Sequence, residues 1–483
     1  MRLSTTDASF LYLESKSGPM HISSINILEG EVPFEEIYKH FDDRMHLLPA
    51  YQRKLANVPF NLAHPEWVPD RNFKLENHLL VHELPEGSSL EAGVEAAVSL
   101  NEPLLDRSMP LWKAWVITGV PGKTLILHQT HHCMIDGASG VELMAIIYDF
   151  DPAGDPIPDP KPDTLPVKDT SALARTQRAL EDNFKQLQKS PPITSWFETS
   201  GKQAQLMQRA LRVAANFVTR PAVTAPFNAG LVSARRSLAW TSFAFEDLRE
   251  IRRALGGTIN DVVLTALSQG VAEYLQHHKE QVNDQFLRIM CPVNVRTEDK
   301  KGALGNQVSA IFPMLPAWPM DVLTRLSAVC AETSRIKDAE EAQALTLAQE
   351  RAPEPWPVAM WPSQMVSTPL DPTALAAALP SPQLPRSIRP PNPGYNFVCT
   401  NVPGPQVPMY LCGREVTDQI GLLILWGNVG FSTTVLSYNR KLSLGFICEP
   451  KLMPDVTLIR EATDGAFQRL LDAARERTQN LQA

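Results

Sequence analysis

The chain has 483 residues and a mass of 53.6 kDa, enough for two or three domains with a large core. Hydrophobic residues make up 44% and charged residues 20%, which excludes a disordered or collagenous chain. A net charge of -8 and an isoelectric point near 5.8 argue against a general nucleic-acid binder, and a mean hydropathy of -0.15 excludes a polytopic membrane protein.

In chain order, the opening MRLSTTDASF has no apolar run, so no signal peptide is expected. His21–Ile27 alternates as a strand, and Leu90–Leu100 reads as a helix. Leu111–Ile117 and Lys123–Gln129 are strand-like, and Ala138–Tyr148 resumes a helical pattern. Asp151–Pro166 holds six prolines in 16 residues and reads as an extended connection. Helical segments follow at about 171–190 and 200–220. On the second, Leu206, Met207, Ala210, Leu211, Val213, Ala214, Phe217 and Val218 share one face, with Arg209, Arg212 and Asn216 opposite. No acid lies between Glu198 and Glu246, a span with six Lys or Arg. That helix reads either as a contact for an anionic lipid surface or as a crossover helix packed on a core.

A second α/β section begins near 236. Gly256-Gly257-Thr258 ends one helix and starts another, with Thr258 and Asp261 spaced as a capping box. Ile289–Val295 and Gln307–Leu315 read as strands, and Glu332–Gln349 as a helix. Pro353–Pro393 holds 12 prolines in 41 residues, with a short helical island at Pro372–Leu379. Gln419–Asn439 has no charge over 21 residues and is long enough to span a membrane. Its glycines and hydroxyls favour two buried strands, Leu422–Trp426 and Val429–Leu436, around a Gly-Asn turn. Leu458–Ala473 makes a terminal helix. Cys133, Cys291, Cys330, Cys399, Cys412 and Cys448 form no CxxC pair and read as reduced thiols of a cytosolic protein.

The chemistry concentrates in His131-His132-Cys133-Met134-Ile135-Asp136-Gly137, between a strand and a helix. Such loops present reactive side chains on rigid scaffolds, and His suits general-base work near neutral pH. Asp136 has the spacing to hold the loop, and Gly137 permits a tight turn. The plain reading is two loop histidines and a helix-capping acid. A metal cluster of His128, His131, His132 and Asp136 is disfavoured because His128 sits in a strand, so helical i, i+4 ligand spacing does not apply. A Cys133–His nucleophile is disfavoured because sequence neighbours on a loop seldom face each other.

These residues resemble the bacterial wax ester synthase/diacylglycerol acyltransferase family over almost the whole chain. The resemblance rests on Ser4–Leu13 (STTDASFLYL), Pro110-Leu111-Trp112 and the HHxxxDG run His131–Gly137. It continues with Asn260-Asp261, Pro292–Arg296 (PVNVR), Gly305-Asn306 and Asn401–Pro405 (NVPGP). Two departures stand out. Arg440 follows Ser-Tyr-Asn where the family commonly has Gly, and the Pro-rich 353–393 stretch replaces what often reads as hydrophobic helix.

The resemblance implies an α/β fold of two chloramphenicol-acetyltransferase-like domains, residues 1–150 and 236–483, joined by a crossover at 151–235, with the active-site tunnel between them. It implies acyl transfer from acyl-CoA, a co-substrate, to a fatty alcohol or diacylglycerol, with no cofactor and no metal. A thioester is already activated, so a base, oxyanion donors and a dry channel suffice. His132 is then the base and Asp136 structural, and we expect Asp136 to pair with Arg296. Asn260, in a helix first turn, is the candidate for ordering the oxyanion, against the plain reading of a capping residue. His131, Gly137 and Asp261 support the site. Pro110–Trp112 and Asn401–Pro405 read as structural, the latter shaping a tunnel wall. Partners would be the two substrates and a membrane or lipid-droplet surface, with no nucleic acid; the expected location is cytoplasmic, peripheral to the inner membrane face or lipid inclusions. The rival readings are a condensation-type transferase using a carrier-protein thioester and a non-catalytic lipid-binding relative.

Overall fold

The computed structural model describes residues 2–134, 137–160, 169–189, 201–294, 308–351 and 394–482. Asp136, Arg296, Gly305-Asn306 and the Pro-rich 353–393 stretch therefore lie outside the described residues. The first half holds α1 (Thr5–Leu13), β1 (His21–Glu29), α2 (Phe34–Arg44), β2 (Arg53–Ala56), β3 (Glu66–Pro69), β4 (Leu79–Glu83), α3 (Leu90–Leu100), β5 (Trp112–Thr118), β6 (Lys123–His131) and α4 (Gly137–Ile147). Then come α5 (Ala172–Lys189) and α6 (Lys202–Thr219). The second half holds β7 (Ser237–Ala244), α7 (Phe245–Leu255), α8 (Ile259–His277), β8 (Phe286–Asn294), β9 (Val308–Ile311), β10 (Met314–Pro316), α9 (Val322–Asp338) and α10 (Glu341–Arg351). It ends with β11 (Phe397–Pro403), β12 (Tyr410–Leu411), β13 (Arg414–Leu422), β14 (Phe431–Tyr438), β15 (Lys441–Cys448) and α11 (Val456–Gln482).

Two sheets organise these elements. The first runs β12-β13-β1-β6-β5-β4, and the second β10-β8-β11-β14-β15-β7, with β9 also on β8. Along β6 the period of two decides what goes where. Leu125 and Leu127 enter the cluster of Ile25, Val94 and Val98 on one face, while Ile126 enters that of Phe41, Trp112 and Ile147 on the other. Each such side chain contributes about 1.5–3 kcal/mol on burial. In the second half, α7, α8 and α11 cover the sheet through Leu248, Val262, Leu267, Phe467 and Leu470.

The sheets are not independent in sequence. β13 pairs antiparallel with β1, Ser23 opposite Leu422, although it lies in the C-terminal half. From Leu422 the chain passes through a Gly427-Asn428 turn, closed by a Trp426–Val429 bridge, into β14 of the second sheet. The strand expected at Leu422–Trp426 is thus mostly connection, because the chain is changing sheets there. The sheets approach closely at Gly421 and Gly445: a Cβ on Gly421 would lie 2.9 Å from the Thr434 Cβ, and one on Gly445 2.7 Å from the Gly421 carbonyl oxygen.

Other boundaries moved for local reasons. Gln307–Leu315 is two strands, broken at Phe312-Pro313, where proline has no N–H for the ladder. Glu332–Gln349 divides between α9 and α10 at Glu340, whose φ is +49°. No helix among the described residues is long and apolar enough to cross a membrane.

Helix α6 packs rather than lying free. Phe217 meets Phe312 edge-on at 5.0 Å and lies beneath the Arg288 guanidinium at 4.2 Å. Arg209 pairs with Glu340. Ala210 and Val213 are buried, while Leu211 and Val218 face outward. Part of the face expected to insert into lipid, Ala210, Val213 and Phe217, is thus spent on packing within the protein.

Candidate active site

The His131-His132 doublet sits where β6 ends, and the strand period sends the two rings to opposite sides. His132 follows Thr130 and His128 onto the wall of a cavity of about 180 Å³ between the two sheets. Other walls come from Ile22 and Ser24 on β1, Leu143 and Met144 on α4, Thr400 and Val402 on β11, and Thr434 and Leu436 on β14. The His132 backbone N–H donates to the Met20 carbonyl at 2.8 Å. Its ring stacks on Phe10 of α1, with centroids 4.0 Å apart and planes 6° from parallel. Such a pair contributes about 0.5–1.5 kcal/mol beyond its buried area.

His131 turns the other way and is fully buried. Its Nδ1 accepts from the Cys133 N–H at 3.1 Å, so a neutral ring carries its proton on Nε2. That Nε2 lies 3.2 Å from Glu14 Oε1, obliquely to the hydrogen-bond line. Glu14 Oε1 also accepts from the Met20 N–H at 3.1 Å, and Arg107 donates to Oε2 through Nε at 3.1 Å and Nη2 at 2.8 Å. Burial pushes the Glu14 carboxyl up, but His131 and Arg107 outweigh it and hold its pKa at about 2.

Cys133 is buried with Leu11, Tyr12, Leu105 and Leu111. Burial, with Asp7 and Glu14 nearby, raises its thiol pKa well above the ordinary value. It is a neutral core thiol. His128 meets the Tyr148 hydroxyl at 3.1 Å, and burial lowers its pKa to about 4. Among the described residues no three His, Cys, Asp or Glu side chains gather as a metal-binding group. Gly137 opens α4.

The structure does not bring Asn260 to the His132 cavity. Asn260 lies in the first turn of α8, where its Oδ1 accepts from Asn401 Nδ2 at 2.6 Å. Both line a second cavity of about 320 Å³, floored by Val263, Leu264, Cys291 and Val435. Strand β11 divides the two spaces: Thr400 and Val402 face the first, Cys399 and Asn401 the second. Asp261 is committed to structure. Its Oδ2 accepts from the Thr258 N–H at 2.7 Å and hydroxyl at 2.8 Å, and its Oδ1 from the Thr333 hydroxyl at 2.8 Å.

Two sequence runs are placed as scaffolding. Trp112 is buried, donates from Nε1 to the Tyr51 carbonyl at 2.8 Å and stacks on His78. Val402, Gly404 and Pro405 of the NVPGP run wall the His132 cavity, where a Cβ on Gly404 would stand 2.4 Å from the Ser437 carbonyl oxygen. Sequence reasoning passed over Glu14 and Phe10. Only their place in the opening segment, one residue after and three before the end of α1, hinted at either.

Two family descriptions match this chain: "Wax ester synthase/diacylglycerol acyltransferase catalytic domain" over residues 3–263 and "WS/DGAT C-terminal domain" over 304–471. The chain belongs to the wax ester synthase/diacylglycerol acyltransferase family. A putative diacylglycerol O-acyltransferase of Mycobacterium tuberculosis is 27% identical, the alignment covering 98% of this chain and 90% of the relative. The probable diacylglycerol O-acyltransferase tgs1 of the same organism is 26% identical, with 98% and 96% covered. Among solved structures, the wax ester synthase/diacylglycerol acyltransferase of Marinobacter aquaeolei VT8 shares the fold with a TM-score of 0.63 at 18% identity, covering 98% of this chain and all of that one. The starter condensation domain of rhizomide synthetase shares it at 0.57 and 13% identity, with 98% and 94% covered. The two-sheet α/β architecture of the acyltransferase and condensation enzymes is therefore that of this chain, and membership of the family makes it an acyltransferase.

Proposed function

We propose that this acyltransferase moves a fatty acyl group from acyl-CoA to the hydroxyl of a long-chain alcohol or a diacylglycerol, with His132 as general base. The observation that carries this reading is His132 on the wall of an inter-sheet cavity whose other walls include Ile22, Leu143, Val402, Leu422 and Leu436. Such walls suit alkyl chains and keep water from the thioester. His132 takes the acceptor's hydroxyl proton as the oxygen attacks the thioester carbonyl. The tetrahedral adduct expels the CoA thiolate, which leaves with the proton held by His132. No acyl-enzyme is needed.

Asp136 and Arg296 keep their proposed roles as a structural acid and its partner. Asn260 is assigned a place beside the chemistry: it braces Asn401 on β11, whose neighbours Thr400 and Val402 face the reaction. Because acceptor and product are nearly insoluble in water, we also place the enzyme peripherally on a membrane or lipid inclusion. Leu173, Leu180 and Phe184 of α5 and Leu211 and Val218 of α6 point outward and support that placement.

The test supplies the purified protein with palmitoyl-CoA and either hexadecanol or dipalmitoylglycerol, and identifies the lipid product. His132→Ala should fold normally and lose about 10²–10⁴-fold in turnover. Undiminished turnover in that variant would remove His132 from the reaction.

A further inference from the structure

Behind the cavity wall, four N–H groups converge on one buried carboxylate. Oxygen Oε1 of Glu14 meets the Met20 N–H at 3.1 Å and His131 Nε2 at 3.2 Å, and Oε2 meets Arg107 Nε and Nη2 at 3.1 and 2.8 Å. Arg107 Nη2 also donates back to the Leu11 carbonyl at 2.7 Å, on the helix that precedes Glu14. The peptide groups around Met20 are then used twice: its N–H is held by Glu14, and its carbonyl receives the His132 N–H at 2.8 Å. The same helix, α1, presents Phe10 flat against the His132 ring. His132 is thus held on its backbone side and on its ring face by one short segment, and that segment is anchored through Glu14.

We propose that Glu14 is a positioning residue for acyl transfer: it ties α1, Met20, His131 and Arg107 to one carboxylate and so sets the place and ring plane of His132. The inference rests on the reading of His132 as the base. Glu14 itself touches neither the cavity nor a substrate. Its first effect is on His131, whose Nε2 faces the carboxylate while Nδ1 closes the turn with the Cys133 N–H. Its second effect is geometric. If the anchor slackens, Phe10 and the Met20 carbonyl no longer fix the His132 ring against the acceptor hydroxyl. A displacement of about 1 Å in such a geometry costs about 10²-fold in rate.

The decisive variant is Glu14→Gln. It keeps the shape and leaves Oε1 available to Met20 and His131, but it turns an NH₂ group toward the Arg107 guanidinium. We expect kcat with palmitoyl-CoA and dipalmitoylglycerol to fall about 10–100-fold, with both KM values within about twofold of the wild type. Glu14→Gln/Arg107→Gln, which restores an acceptor opposite that NH₂ group, should recover several-fold of the loss. In the wild-type protein labelled with ¹⁵N-histidine, the His131 signal should be that of the neutral Nε2–H tautomer, and it should change in Glu14→Gln. An unchanged kcat in Glu14→Gln, a loss confined to KM, or His131 with its proton on Nδ1 overturns the proposal. The tautomer readout does not depend on turnover, so it stands even where a variant folds poorly. Failure of the base assignment is read separately: it shows as an active His132→Ala enzyme, whatever Glu14→Gln does.

Discussion

Arg440 occupies a place where its side chain is a burden. The β14–β15 hairpin closes on Tyr438 opposite Lys441, leaving Asn439 and Arg440 as a two-residue turn. Both have positive φ, +41° and +62°. A turn of this hand fits the twist of the flanking strands and prefers Asn-Gly. Asn tolerates the left-handed region; Arg pays about 1–2 kcal/mol for it, and Gly pays almost nothing. Arg440→Gly removes that strain but loosens the unfolded chain, which offsets about 0.4–1 kcal/mol. The backbone bonds of the turn, Asn439 N–H to the Pro405 carbonyl at 3.0 Å and Phe245 N–H to the Arg440 carbonyl at 2.9 Å, survive the change. The expected net is a gain of about 0.5–1 kcal/mol. Urea unfolding should show a raised midpoint with an unchanged slope. Arg440→Ala is the control: alanine keeps the strained φ, so it should give no gain. If both variants gained equally, side-chain loss would be the cause and the strain argument would be refuted.

Gly421→Ala should destabilise by about 1–3 kcal/mol in thermal unfolding, because its Cβ would meet the stiff, branched Thr434 side chain at 2.9–3.1 Å. Cys133→Ala should keep most of the turnover, and maleimide should label the native protein's Cys133 slowly, since burial holds it as a thiol. Glu14 has a folded pKa held at about 2 against an ordinary 4.5, so it stabilises the fold above about pH 4.5. That contribution is lost as pH falls from there toward 2, and Glu14→Gln should flatten the acid limb of a stability–pH curve.

Periodicity carried much of the fold. The strand read at Lys123–Gln129 and the helix read at Ala138–Tyr148 appear as β6 and α4 because alternation and the 3.6-residue repeat are strong there, and Thr258-x-x-Asp261 forms the capping box its spacing implied. Pairing was not legible. Nothing in Arg414–Leu422 says that it joins β1 rather than the strand that follows it. The α9–α10 break falls in Ala339-Glu340-Glu341, good helix formers overridden by the ion pair of Glu340 with Arg209 and by the tertiary fit. At the site, the doublet reads as loop in the sequence, and the opposite faces of its rings follow only from β6 running on to His131. The division of Asn260 from His132 depends on which face of β11 each residue meets, and that is fixed only when the second sheet is assembled. Glu14 went unread, since burial of a single charge leaves no periodic trace.

The pairing of β1 with β13 also sets a schedule. Ser23 and Leu422 are neighbours in the finished sheet, yet the ribosome makes them far apart in time. At about 5–20 residues per second, β13 emerges roughly 20–80 s after β1. Throughout that interval β1 is an open edge, able to pair with any exposed strand of another nascent chain. Its sequence, HISSINILE, places Ser23, Ser24 and Asn26 among the apolar residues, which weakens it as a template for such pairing. So long a loop to close makes the first sheet a late and slow event, and chains truncated before residue 414 leave that edge uncovered for good.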